Sequence, residues 1–309
     1  MLKGLFLGVL IQGIVFAQRT QLPADLPVDS ILSHKLNDIV ADLELNKDFD
    51  VGEDGIEQIS LAVIDLSGSS PRLGGVNPEN FIYPASVYKM YVAAEVLHQV
   101  SQGYFSLLKP IVATSPNIVD RSKQIDWDPR PLLHEGDTVT VNYLLDLMIT
   151  RSDNSAANCL IDLARRDSIN AFVNAYGWHG SEVTRKFLSR KFEDPGYEKI
   201  RGTETSALHA AEFMYRISTG TLFNFWVSEQ MKSFLARQLD TTKLAPGLPV
   251  NAMFYHKTGW YSYWTNDVGI VDDGTTRYIV ACFLPMKEEI ARPKMKELSR
   301  RIFDALKKH

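Results

Sequence analysis

Ser86-Val87-Tyr88-Lys89 sets a hydroxyl and an amine three residues apart, just after Pro84, and proline favours the first turn of a helix. Residues three apart share a helical face, so the lysine can reach the serine. A serine hydroxyl is a weak nucleophile until a base takes its proton, and a lysine desolvated near other cations can act as that base. The spacing alone carries little, because Ser-x-x-Lys arises about once by chance in a chain of this length at average composition.

A second group, Ser152-Asp153-Asn154, follows 66 positions later (152 minus 86) and falls between two helical patterns. A loop there can present a hydroxyl and an amide to a cleft. The same three residue types are preferred helix caps, and Ser155-Ala156-Ala157-Asn158 continues helically, so capping alone also accounts for them. Lys257-Thr258-Gly259 comes 105 positions further on (257 minus 152), on a strand pattern. His256 beside it points to the opposite face of that strand. The seven histidines and two cysteines include no close ligand pair, so neither a metal nor another cofactor is expected. Phosphate-loop, dinucleotide and Gly-x-Ser-x-Gly signatures do not occur.

These residues need elements to hold them. Apolar spacing predicts a first helix within 27–46, a strand over 59–66, and helices over 85–100, 141–150, 155–165, 168–176, 206–218 and 228–238. Strands are expected over 252–260, 267–271 and 277–284, the last two joined by the turn Asp272-Asp273-Gly274, with a basic helix over 287–307 closing the chain. The order gives an α+β fold, an antiparallel sheet with strands from both chain ends, flanking terminal helices and an all-helical lobe. The expected division is a single catalytic domain over 18–309, with an α/β lobe of about 27–83 and 250–309 and a helical lobe of about 84–249. A cleft between the lobes is the natural place for a small-molecule site.

At 309 residues, 45% hydrophobic and 23% charged, the chain has globular composition. Its 33 basic and 37 acidic residues are interleaved, and the net charge of −4 gives no footprint for nucleic acid. Lys3, the apolar run Leu5 to Phe16 and the small residue Ala17 fit a signal peptide over 1–17. That run is 12 residues long, below the roughly 18 needed to span a bilayer. A secreted or periplasmic monomer, without stable membrane insertion, is expected. Cys159 and Cys282 leave a disulfide open.

Taken together and in order, Ser-x-x-Lys, Ser-Asp-Asn and Lys-Thr-Gly resemble the motif set of class A β-lactamases and penicillin-binding proteins. Thr138-Val139, Ser155 to Asn158 and Thr265-Asn266-Asp267 extend the resemblance, which covers about 27–309. It implies the β-lactamase/DD-peptidase-like fold and a penicillin-recognising serine hydrolase. Ser86 would attack an amide carbonyl and become acylated, with Lys89 accepting its proton. Ser152 would pass a proton to the leaving nitrogen. Asn154 would bind the substrate's side-chain amide, Lys257 would orient Ser152 and attract a carboxylate, and Thr258 would bind that carboxylate. The backbone N–H groups of Ser86 and Trp260, after Gly259, would form the oxyanion hole. Of the aromatic group Trp260, Tyr261, Tyr263 and Trp264, either Tyr261 or Tyr263 is expected to touch substrate.

The family's water-activating glutamate is where the sequence departs. Between Val183-Thr184-Arg185 and Thr205-Ser206, an ungapped reading puts the glutamate position on Ser189 and the following asparagine position on Glu193. Glu193 is the candidate replacement base, with Glu198 and Glu204 behind it. Without such a base, water must be activated by Lys89 or not at all. The partner is therefore either a small-molecule β-lactam, hydrolysed, or a peptidoglycan stem peptide ending in D-Ala-D-Ala, as in a DD-peptidase. A β-lactam sensor that stays acylated is a further possibility.

Overall fold

Strand runs whose residues are nearly all buried form the middle of the molecule. The computed structural model describes residues 26–52, 55–120, 128–193 and 202–307. The first third comprises α1 (Ser30–Asp42), β1 (Phe49–Asp50), β2 (Ile56–Glu57), β3 (Ser60–Asp65), β4 (Arg72–Val76), β5 (Phe81–Ile82) and α2 (Lys89–Ser101). Next come β6 (Pro110–Val112), β7 (Thr138–Thr140), α3 (Val141–Thr150), α4 (Asn154–Ala164), α5 (Arg166–Ala175), β8 (Thr205–Ser206), α6 (Ala207–Thr219) and α7 (Phe225–Leu235). The chain closes with β9 (Met253–Tyr261), β10 (Trp264–Asp272), β11 (Arg277–Leu284) and α8 (Glu288–Leu306). The expected leader at 1–17 lies outside the described residues.

Five strands pair antiparallel in the order β4-β3-β11-β10-β9, so both ends of the chain supply the sheet. The sequence patterns give every one of these strands except β4. Arg72-Leu73-Gly74-Gly75-Val76 has two glycines in five residues, which hides its alternation. Glycine is needed there for close packing, since a Cβ on Gly74 would lie 2.5 Å from the Leu32 side chain.

Side chains of a strand alternate between faces, and the two faces here meet different layers. Leu61 and Val63 of β3, with Val280 and Cys282 of β11, pack under Leu36 and Val40 of α1 and Leu298 and Ile302 of α8. Ala62 and Ile64, with Ile279, Ala281 and Phe283, face α6 and the helices beyond it. Asp29 starts α1 by accepting the N–H groups of Ile31 and Leu32, which no helical carbonyl can reach. Cys282 belongs to the first layer and Cys159 to the second, and both are free, buried thiols. Burial pushes the Cys159 thiol up to about 12.

At the centre of the helical layer, α2 is buried on all sides from Lys89 to Leu97. Each large apolar side chain it buries contributes about 1.5–3 kcal/mol. The helix is therefore a rigid post, and it carries Lys89 and Glu95 into the interior with it.

Candidate active site

The turn Ala85–Tyr88 precedes α2. Ala85 has φ of +47°, a conformation that side chains disfavour and that tertiary packing must hold. It presents Ser86 half-buried at the mouth of the helix. Lys89 Nζ lies 3.1 Å from Ser86 Oγ, and Lys89 is fully buried. The same nitrogen lies 2.6 Å from the Ser152 carbonyl oxygen, 3.1 Å from Ser152 Oγ and 2.6 Å from Asn154 Oδ1. Four oxygens outnumber the three N–H bonds of an ammonium. One contact can therefore run the other way, with the serine hydroxyl donating to the amine, as proton abstraction requires.

Ser152 and Asn154 arrive from the junction of α3 and α4. Both sequence readings of the triplet hold at once, because each residue has a different task. Asp153 caps α4 by accepting Ala156 N–H at 2.8 Å and pairs with Arg151 at 3.1 Å. Ser152, at φ +59°, and Asn154 turn to Lys89 on either side of that cap.

From the free edge of the sheet, β9 brings fully buried Lys257, whose Nζ lies 3.1 Å from Ser152 Oγ and 2.7 Å from the Thr258 carbonyl oxygen. Gly259 lets the strand touch the serine turn. A Cβ there would sit 2.6 Å from Pro84 O and 2.8 Å from Ser86 N. Beyond it Trp260 and Tyr261 are exposed, with Tyr261 edge-on to Tyr83. Tyr263 packs its ring against Lys287 Nζ. His256 points away as alternation requires and pairs with buried Asp267 at 2.8 Å.

Counting along the loop puts Ser189 and Glu193 at the water-activating positions, and here the structure departs from the sequence reading. Glu193 ends the turn Leu188–Glu193. Hydrogen bonds from Arg190, 2.7 Å from Nε, and the nearby Lys186 charge hold its carboxyl below the usual range. Arg190 also reaches Asp162 at 2.6 Å and binds Asn117, so this cluster ties the loop to α4. The side chain offered to Lys89 is instead Phe187, its ring centre 4.4 Å from Nζ and stacked at 4.8 Å on Tyr88. The Asn158 side-chain amide fixes Phe187, accepting its N–H at 2.9 Å and donating to its carbonyl at 3.4 Å. That double bond to α4 sets a register an ungapped count misses. Glu204 pairs its main chain with Glu182, and Glu198 lies outside the described residues.

Asp120 also joins the cluster and was not foreseen. It is 7% exposed, and its carboxylate accepts the Asn154 main-chain N–H and, at 2.9 Å, Asn154 Nδ2. Nothing in the sequence pairs these residues, which stand 34 apart in a loop and a helix. Among the described residues no group of three or more His, Cys, Asp or Glu is arranged to hold a metal, and no helix is long and apolar enough to cross a membrane.

A two-layered sheet with a helical lobe, carrying serine and lysine pairs at their junction, is the architecture of serine hydrolases of the class A β-lactamase kind. The chain belongs to the beta-lactamase enzyme family, whose model matches residues 41–306. It is 26% identical over 234 residues to the extended-spectrum β-lactamase PER-1 of Pseudomonas aeruginosa, covering 70% of this chain and 72% of that protein. A β-lactamase of Streptomyces fradiae is 28% identical over 192 residues, 60% of each chain. Among solved structures, a β-lactamase from Sphaerobacter thermophilus superposes with TM-score 0.72 at 20% identity, covering 88% of this chain and 97% of that one. PBP-A superposes with TM-score 0.73 at 19% identity, covering 91% and 98%.

Proposed function

We propose that this serine hydrolase is acylated at Ser86 by penicillins and related amides, acting as a class A β-lactamase-like enzyme. The observation that carries the reading is Lys89 Nζ, 3.1 Å from both Ser86 Oγ and Ser152 Oγ, with Lys257 Nζ 3.1 Å from the latter. Ser86 Oγ attacks the carbonyl carbon while its proton passes to Lys89. Ser152 delivers a proton to the leaving nitrogen, so the C–N bond breaks as the ester forms. Lys257 orients Ser152 and draws a substrate carboxylate toward Thr258. The N–H groups of Ser86 and Trp260 receive the developing oxyanion, at the approach that Gly259 permits. Exposed Tyr261, at the free sheet edge, is the aromatic residue best placed to meet substrate.

A second reading, a penicillin-binding DD-peptidase acting on D-Ala-D-Ala stem peptides, is favoured by Phe187. An aromatic ring over Lys89 cannot activate water, and Glu193 is engaged by Arg190. Such an enzyme releases its ester slowly from a β-lactam, and at the limit of no release it is a sensor. PBP-A, of similar fold, is among the solved structures described as an acyl-enzyme complex with penicillin G. We further propose that the chain is exported after cleavage behind Ala17 and works as a monomer on substrates outside the cytoplasm.

Intact-protein mass followed over time with benzylpenicillin, with free drug measured in parallel, tests both readings. An adduct must form and must vanish in Ser86→Ala. Its persistence in that variant would sink the nucleophile assignment. Rapid drug loss with little standing adduct identifies a β-lactamase, and an adduct lasting many minutes identifies the DD-peptidase or sensor.

A further inference from the structure

We infer that Asp120 is a positioning residue for acylation, acting through Asn154 on Lys89. The inference rests on the reading of Ser86 as the acylated serine. An amide side chain can be turned either way round, and here its two neighbours decide the matter. A carboxylate only accepts hydrogen bonds, so Asp120 Oδ1 at 2.9 Å requires the Asn154 nitrogen. That leaves Asn154 Oδ1 to face Lys89 Nζ at 2.6 Å. The reversed amide would set N–H against the lysine and oxygen against the carboxylate, between a side chain that is fully buried and one that is 7% exposed. Two mismatched contacts in a dry site are costly.

The clamp is closed at both ends. Asp120 Oδ2 takes the Asn154 main-chain N–H, which α4 cannot satisfy itself. One residue on, the Ser155 hydroxyl accepts the N–H groups of Val119 at 2.9 Å and Asp120 at 3.1 Å, holding the loop against the helix that it orders. Asp120 occupies one N–H of the Asn154 amide, so the other is what Asn154 can offer a substrate carbonyl. Asp120 thus fixes both the oxygen that aligns Lys89 with Ser86 and the donor left for the acyl group.

The test compares native protein, Asp120→Asn, Asn154→Ala and the double variant, measuring the first-order acylation constant and the apparent dissociation constant for benzylpenicillin. Asp120→Asn keeps the shape but loses the obligate acceptor. Acylation should slow by about 10- to 100-fold with the dissociation constant little changed. The double variant should be no slower than Asn154→Ala alone, because both act through one amide. Acylation by Asp120→Asn within about twofold of native, or losses that multiply in the double variant, would overturn the assignment. Should Asp120→Asn fail to fold, Ser155→Ala perturbs the clamp from the other side. It should slow acylation in the native background and not in Asn154→Ala, and equal slowing in both overturns the idea.

If benzylpenicillin leaves the native protein unlabelled, the β-lactam reading fails, and the same variants are compared with a fluorophosphonate. There the serine oxygen bonds to phosphorus, fluoride leaves and the serine proton goes to Lys89. Slow, non-multiplying labelling in the variants sustains the role of Asp120, and native-like labelling of Asp120→Asn removes it.

Discussion

A carboxylate can serve as a general base only when a lone pair is free to face the water it activates. The Glu193 oxygens are engaged by Arg190 and Lys186, which also keep its proton affinity low. Glu193→Gln is therefore expected to leave the decay of a penicillin acyl-enzyme within about twofold of native, read by adduct mass against time; a tenfold slowing would restore Glu193 to the mechanism. Phe187 is the more consequential residue, because its ring covers the amine that would otherwise meet water. Phe187→Ala should shorten the adduct lifetime by about tenfold or more, and an unchanged lifetime would show that water reaches the ester by another route.

Elements matter here through the distances they impose. β9 is an edge strand whose Lys257 reaches Ser152 only because the strand lies against the serine turn. A Cβ at Gly259 meets main-chain atoms of Pro84 and Ser86 at 2.6 and 2.8 Å, which no rotamer change relieves. Gly259→Ala should lower the acylation constant by about 100-fold, since a misplacement of about 1 Å at a reacting centre has that order of effect. The melting temperature, measured alongside, separates this from unfolding. Native-like acylation would mean that the strand and turn can part without cost. The same logic explains why two lysines stand in one small site: α2 and β9 each bury one completely and aim both at Ser152.

For the molecule as a whole, burying α2 on every side makes a firm post and also draws Glu95 inward, where burial pushes its carboxyl from the ordinary 4.5 up to about 7. Because the folded value lies above the unfolded one, the folded protein binds the extra proton between those values. Stability from this group is complete below about pH 4.5 and falls as pH rises through 7. Glu95→Gln should leave the melting temperature nearly unchanged at pH 5 and raise stability by roughly 2 kcal/mol at pH 8, as differential scanning calorimetry at the two pH values would record. A gain at pH 5 as large as that at pH 8 would refute the assignment.

The sequence by itself determined the three motifs, their order, the helices that carry two of them and the strand that carries the third. These depend on local periodicity and cap chemistry, which neighbouring residues largely decide. It also determined that Asp153 could cap and that His256 must face away from Lys257. The tertiary structure alone decided what surrounds Lys89, because those contacts join residues far apart in the chain. Asp120 has no local signal marking it for Asn154, and Phe187 owes its place to an Asn158 bond that shifts the loop by two positions from a simple count. β4 was likewise hidden, because its glycines are explained by what packs on them rather than by their own neighbours. Local chemistry is written in short spacings, whereas the base, its orientation and its access to water are set by loop packing across long sequence separations.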